Sequence, residues 1–107
     1  MDKNIKILCV CQEGNSRSVG TRFCLRKRGY YNVIAIGWNR TPMETLKMLS
    51  DWADIILVAK SYHGDQLPSG KDKIIKEFTV GEDNWGNPMH QELHKIVNEQ
   101  LDLVGLK

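Results

Sequence analysis

The chain has 107 residues, enough for one domain over 1–107 with a modest core, and 41% apolar and 26% charged residues make it globular in composition. No run is apolar enough to span a membrane, no signal-peptide pattern opens the chain, and three cysteines without a secretory signal argue for a reducing, cytoplasmic setting rather than a disulfide framework. The net charge of +2 is uneven: residues 1–40 hold eight Lys/Arg against two Asp/Glu, which suits an anionic ligand in that half.

Residues 5–10 (IKILCV) read as a short apolar strand. The run Cys11-Gln12-Glu13-Gly14-Asn15-Ser16-Arg17-Ser18 follows, with cysteine and arginine six positions apart and a hydroxyl residue after the arginine. With three cysteines and five arginines, chance supplies such a spacing in roughly one chain of this kind in seven, so the context must carry the inference. That context is a strand end, a polar loop and a helix over 17–28. Gly14 and Asn15 tolerate left-handed backbone, which a loop needs to turn its N–H groups inward. Such a nest, backed by a helix N-terminus, binds a tetrahedral oxyanion. Arg17 can grip two equatorial oxygens with its planar fork. The same positive field suits a thiolate nucleophile at Cys11, and Ser18 or Ser16 can hydrogen-bond that sulfur and help it leave. Gln12, Glu13, Gly14, Asn15, Ser16, Arg17 and Ser18 are therefore the expected phosphate-binding set.

Along the helix over 17–28, Arg22, Arg26, Lys27 and Arg28 read as a solvated basic face. No aromatic residues interleave with them, which argues against a nucleic-acid surface. Cys9 and Cys24 read as core thiols. A second strand is expected over 32–36 (NVIAI), and Thr41, Pro42 and Glu44 form a capping-box pattern for a helix over 42–52. A third strand over 54–59 (DIILVA), a short helix near 60–66 and a fourth strand over 73–80 (KIIKEFTV) come next. In 88–104, Leu93, Ile96, Val97, Leu101 and Val104 recur at helical spacing. Gly29 and Gly105 stand where helices should end. His90 and His94 share one face of the last helix, but two ligands do not make a zinc site, and no metal or other cofactor is expected. The strand–helix alternation implies a parallel sheet covered on both faces, with ligands at the carboxyl ends of its strands, where Cys11 lies.

A phenoxide leaving group needs a proton, which a carboxylate on a second loop must supply. Glu82-Asp83-Asn84-Trp85 offers two carboxylates beside an aromatic residue. By itself such a pair reads as a solvated acidic turn, but Asp83-Asn84-Trp85 is similar to the acid loop of the low-molecular-weight protein tyrosine phosphatases, and that resemblance implies Asp83 as general acid and later base, with Glu82 second. Trp85 is an expected pocket wall for an aromatic group, with Trp38 or Tyr62 as the other wall or as a core residue.

Cys11 to Ser18 resembles the signature loop of the low-molecular-weight protein tyrosine phosphatases, in particular a compact bacterial branch. The resemblance extends over nearly the whole chain. It takes in Trp38-Asn39-Arg40-Thr41-Pro42 to Glu44, Trp52 to Ile56 with His63 and Leu67, and Val80 to Trp85 with Glu92-Leu93. It implies a three-layer flavodoxin-like α/β sandwich with a four-stranded parallel sheet in the order 2-1-3-4. It also implies a metal-free hydrolysis of phosphotyrosine through phosphocysteine, with a phosphorylated protein or a small aryl phosphate as partner. The chain departs from the family pattern at Gly14, where Asn is usual, at Val19, where proline is usual, and at Ser16, where larger members have a second cysteine. Glu13 adds a carboxylate to an anion-binding loop and must point outward to spare phosphate affinity. Three other readings use the same scaffold: a phosphocysteine carrier, a non-catalytic phosphate-binding module and an arsenate reductase. The carrier lacks use for a residue like Arg17, and the reductase needs resolving cysteines that do not follow Cys24.

Overall fold

Every residue of strand β1, Ile7–Cys11, is buried, which is the mark of a central strand covered on both faces. A computed structural model describes residues 2–82 and 84–107. In it β1 pairs in parallel with β2 (Val33–Gly37) on one side and β3 (Ile55–Val58) on the other, giving the order β2-β1-β3. The register sets Cys11 opposite Gly37 and Val10 opposite Val58. Helices α1 (Arg17–Lys27), α2 (Met43–Trp52), α3 (Ser61–Asp65) and α4 (Gln91–Leu103) complete the fold.

The alternation of β1 divides the core. Ile7, Cys9 and Cys11 pack with Cys24 and Leu25 of α1 and with Leu93, Val97 and Leu101 of α4. Leu8 and Val10 face the other way, onto Leu46 of α2, Ile56 and Val58 of β3, and Leu67. The sheet thus lies between two helical layers, as the periodicities require. Helix α4 approaches α1 closely because Gly20 has no side chain: a Cβ there would lie 2.8 Å from Leu93 Cδ2 and 2.9 Å from the Pro88 carbonyl oxygen. Cys9 and Cys24 are core thiols as expected, and burial pushes both upward in pKa. Among the described residues no helix is long and apolar enough to cross a membrane, and no group of three or more His, Cys, Asp or Glu could hold a metal ion.

Three expectations need correction. The stretch 73–80 does not form a fourth strand. It meets β3 through one parallel bridge, Ile56 to Ile74, with Ile75 N–H donating to the Ile56 carbonyl at 2.9 Å. The chain then turns, Phe78 N–H donating to the Ile75 carbonyl, and returns only where Val80 N–H reaches the Ala59 carbonyl at 3.0 Å. Exposed Lys76 and Glu77 occupy that turn, where an outermost strand offers too little burial to hold two charges in a ladder. Thr41 does not cap α2 with its side chain; its hydroxyl donates to the Gly37 carbonyl at 2.8 Å and ties β2 to the following link. The basic face of α1 is not simply solvated. Arg22 Nε donates to the Val33 carbonyl, and Arg28 binds Asn98, Asp102 and the Leu106 carbonyl, fastening α1 to the end of α4.

Candidate active site

Cys11 ends β1, and the chain after it must turn sharply to enter α1. Gly14 makes the turn at φ +77°, in the left-handed region that favours glycine. Its N–H donates to Cys11 Sγ at 3.1 Å, and the Cys11 thiol donates to Ser18 Oγ, also at 3.1 Å. The loop rests directly on the end of β2. Trp38 N–H donates to the Cys11 carbonyl and Asn39 N–H to the Gln12 carbonyl, each at 3.0 Å. Gly37 permits this approach, since a Cβ there would lie 2.2 Å from the Glu13 carbonyl carbon.

Glu13 points away from the sulfur. Its carboxylate accepts from Arg40 Nε at 2.5 Å and Asn39 Nδ2 at 2.8 Å, and these bonds, Arg40's first, hold its pKa below the usual carboxylate value. Gln12 and Asn15 are exposed, whereas Ser16, Arg17 and Ser18 are buried at the start of α1.

Arg17 is 2% exposed, yet among the described residues no carboxylate pairs with it. Its Nη1 donates to the Gly81 carbonyl at 2.7 Å, while Nε, also buried, finds no partner among the described residues. A buried guanidinium with a spare donor is costly unless an anion comes to it. The Gly81 contact also joins the Cys11 loop to the segment that carries Glu82 and Asp83.

Glu82 is paired with Lys60, and that hydrogen bond is the main reason its pKa falls below the usual carboxylate value. Asp83 lies outside the described residues. His63 of α3 is fully buried. Its Nδ1 accepts the Lys60 N–H at 3.2 Å, and its Nε2 has no partner among the described residues. Burial first, then Arg17 and Lys60, push His63 down to about 4, so it is neutral near pH 7.

The two tryptophans lie on different sides of the molecule's core. Trp85, partly buried, packs against the α1/α4 cluster with its ring 5.2 Å from that of His90. Trp38 packs against the α2 cluster. The paired histidines have separate structural tasks: His90 Nδ1 accepts the Glu92 N–H at the start of α4, and His94 stacks on Phe23 and contacts the Pro88 carbonyl. Three residues at the site were not singled out for it by sequence reasoning, namely Gly37, Lys60 and His63. Only Gly37 left a local signal, because glycine closing an apolar strand marks a close backbone approach.

A scan of protein-family models matches none of them, and a search of curated proteins finds no match. Solved structures do match. The Escherichia coli K30 tyrosine phosphatase Wzb, in its phosphate complex, superposes with TM-score 0.67 at 13% identity, over 94% of this chain and 96% of that one. The YwlE arginine phosphatase from Geobacillus stearothermophilus superposes with TM-score 0.66 at 18% identity, over 94% and 93%. A cysteine-to-serine mutant of YwlE with a phosphorylated active-site serine gives TM-score 0.64 at 17% identity, over 96% and 100%. The chain therefore has the fold of the low-molecular-weight phosphatases along nearly its whole length.

Proposed function

We propose that this chain hydrolyses phosphate monoesters, with phosphotyrosine or a small aryl phosphate as substrate, through a phosphocysteine on Cys11. One observation carries the reading: a sulfur that accepts an amide N–H and bonds a hydroxyl stands on the same short loop as a buried arginine that pairs with no carboxylate among the described residues. Arg17 and the loop N–H groups bind the phosphoryl oxygens as charge spreads over them. Cys11 Sγ attacks phosphorus, the P–O bond to the aryl group breaks, and Asp83 gives the departing oxygen its proton. Water then attacks the phosphocysteine while Asp83 takes a proton from it. The P–S bond breaks, and the Gly14 N–H stabilises the departing thiolate, joined by the Ser18 hydroxyl once its hydrogen turns to the sulfur it adjoins.

The choice of Asp83 rests on the sequence, and the pairing of Glu82 supports it. The hydrogen bond from Lys60 favours the ionised form of Glu82 and so opposes its taking up the proton a general acid must carry. Arg17 supports hydrolysis over a long-lived carrier phosphocysteine, because a firm grip on the transition state speeds breakdown. A cytoplasmic setting fits three reduced cysteines. Since one protein of this fold is an arginine phosphatase, phosphoarginine belongs beside phosphotyrosine among the test substrates.

The deciding experiment is a kinetic panel of phosphotyrosine, phosphoarginine, phosphoserine and para-nitrophenyl phosphate. Wild type should turn over the aryl esters, Cys11→Ser should not, and Glu82→Gln should stay within about threefold. Asp83→Asn should lose about 10²–10⁴-fold in rate on phenolic leaving groups of high pKa. Full activity in Cys11→Ser excludes the cysteine mechanism. A stable phosphoprotein indicates a carrier, and phosphate binding without turnover indicates a binding module.

A further inference from the structure

A cavity of about 500 Å³ lies between α3 and the segment 71–79, a size typical of small-molecule sites. It includes no residue of the Cys11–Ser18 loop. Its origin is the turn that replaces a fourth strand. Segment 73–80 hydrogen-bonds the carbonyls of Ile56 and Ala59, but among the described residues none of its backbone bonds reaches Val58 between them. Val58 therefore lines the cavity, together with Ile74 and Phe78. Against these apolar walls stand the side chains of Lys60, Lys71 and Lys76, with Asp65 the one carboxylate among the lining residues. Lys71 and Lys76 are exposed and form no ion pair among the described residues, while Lys60 pairs with Glu82.

We propose that this cavity is a second binding site, distinct from the Cys11 loop, for a small aromatic anion. Its ring would lie on the apolar side of the cavity, which Val58, Ile74 and Phe78 line, and its charged group would face the lysine ammoniums. Apolar walls alone would take many ligands; with Lys60 already paired to Glu82, the excess of Lys71 and Lys76 over Asp65 among the lining residues selects a negative one. Lys60 also holds Glu82, next to the Gly81 carbonyl that holds Arg17, so an occupant sits beside the catalytic loop without being its substrate. The proposal concerns binding and does not depend on turnover at Cys11.

The probe is naphthalene-2-sulfonate, which carries the ring and the anion but no phosphoryl group. It is titrated calorimetrically into the full chain, with and without saturating inorganic phosphate, and into Lys71→Ala/Lys76→Ala. One-to-one saturable binding is expected, weakened about five- to tenfold in the double variant and changed less than twofold by phosphate. Circular dichroism and the melting temperature establish that the double variant is folded. Absence of saturable binding, equal affinity in the folded double variant, or competitive displacement by phosphate each overturns the assignment.

Discussion

Gly37→Ala adds one methyl group where the Cys11 loop lies on β2. The new Cβ would sit 2.2 Å from the Glu13 carbonyl carbon and 2.5 Å from both the Glu13 oxygen and the Gly14 nitrogen. All three are backbone atoms, so no change of rotamer relieves the contact. Loop and strand must separate by on the order of 1 Å, and a displacement of that size costs about 10²-fold in rate when it moves a nucleophile. Overpacking of this kind also costs about 1–3 kcal/mol of stability, which lowers the melting temperature by roughly 5–20 °C in a domain of this size. Turnover of para-nitrophenyl phosphate, inhibition by inorganic phosphate and a thermal melt measure the three effects on one preparation. The folded variant should lose both turnover and phosphate affinity. Wild-type kinetics with an unchanged melting temperature would refute the claim that β2 positions the loop.

Three further perturbations test separate parts of the structure. Glu13→Gln removes the carboxylate nearest the anion loop and releases Arg40, so inorganic phosphate should inhibit about two- to fourfold more tightly. Its melting temperature should move by less than about 2 °C, because the pair is exposed. His63 binds its proton less readily in the fold (about 4) than when unfolded (6.5), so its contribution to stability is complete above 6.5 and is lost as pH falls towards 4. The loss is about 3 kcal/mol at most, and urea unfolding of His63→Asn should show a flatter dependence on pH across that window. Gly20→Ala gains helix propensity but forces α1 from Leu93 and Pro88, with a net loss of about 1–3 kcal/mol by chemical denaturation.

The three strands and four helices were legible because each is a local pattern: apolar runs of strand length, and helical spacing such as Leu93–Val97–Leu101. The fourth strand was misread for the same reason. Its Ile and Val residues carry strand propensity, but whether Lys76 and Glu77 join a ladder depends on a neighbour that an outermost position lacks. The loop from Cys11 to Ser18 was legible because the residues that bind sulfur are contiguous in sequence. Glu13's outward orientation could be anticipated from its charge, though its partners Asn39 and Arg40 could not. Gly37, Lys60 and His63 come to the site through sheet register and the end of β3, which no local pattern encodes. Thr41 shows the converse case: a residue suited to capping found a stronger demand in the Gly37 carbonyl.

The support that β2 gives the loop also has a kinetic side. Trp38 and Asn39 donate to Cys11 and Gln12 across more than twenty residues of chain, so the oxyanion nest is completed only once β2 has docked beside β1. A chain that has formed β1 and α1 but not this pairing has the signature residues without the cradle. Phosphate should then bind the finished fold and barely stabilise the folding transition state. Added phosphate would slow unfolding in proportion to its occupancy while leaving the refolding rate nearly untouched.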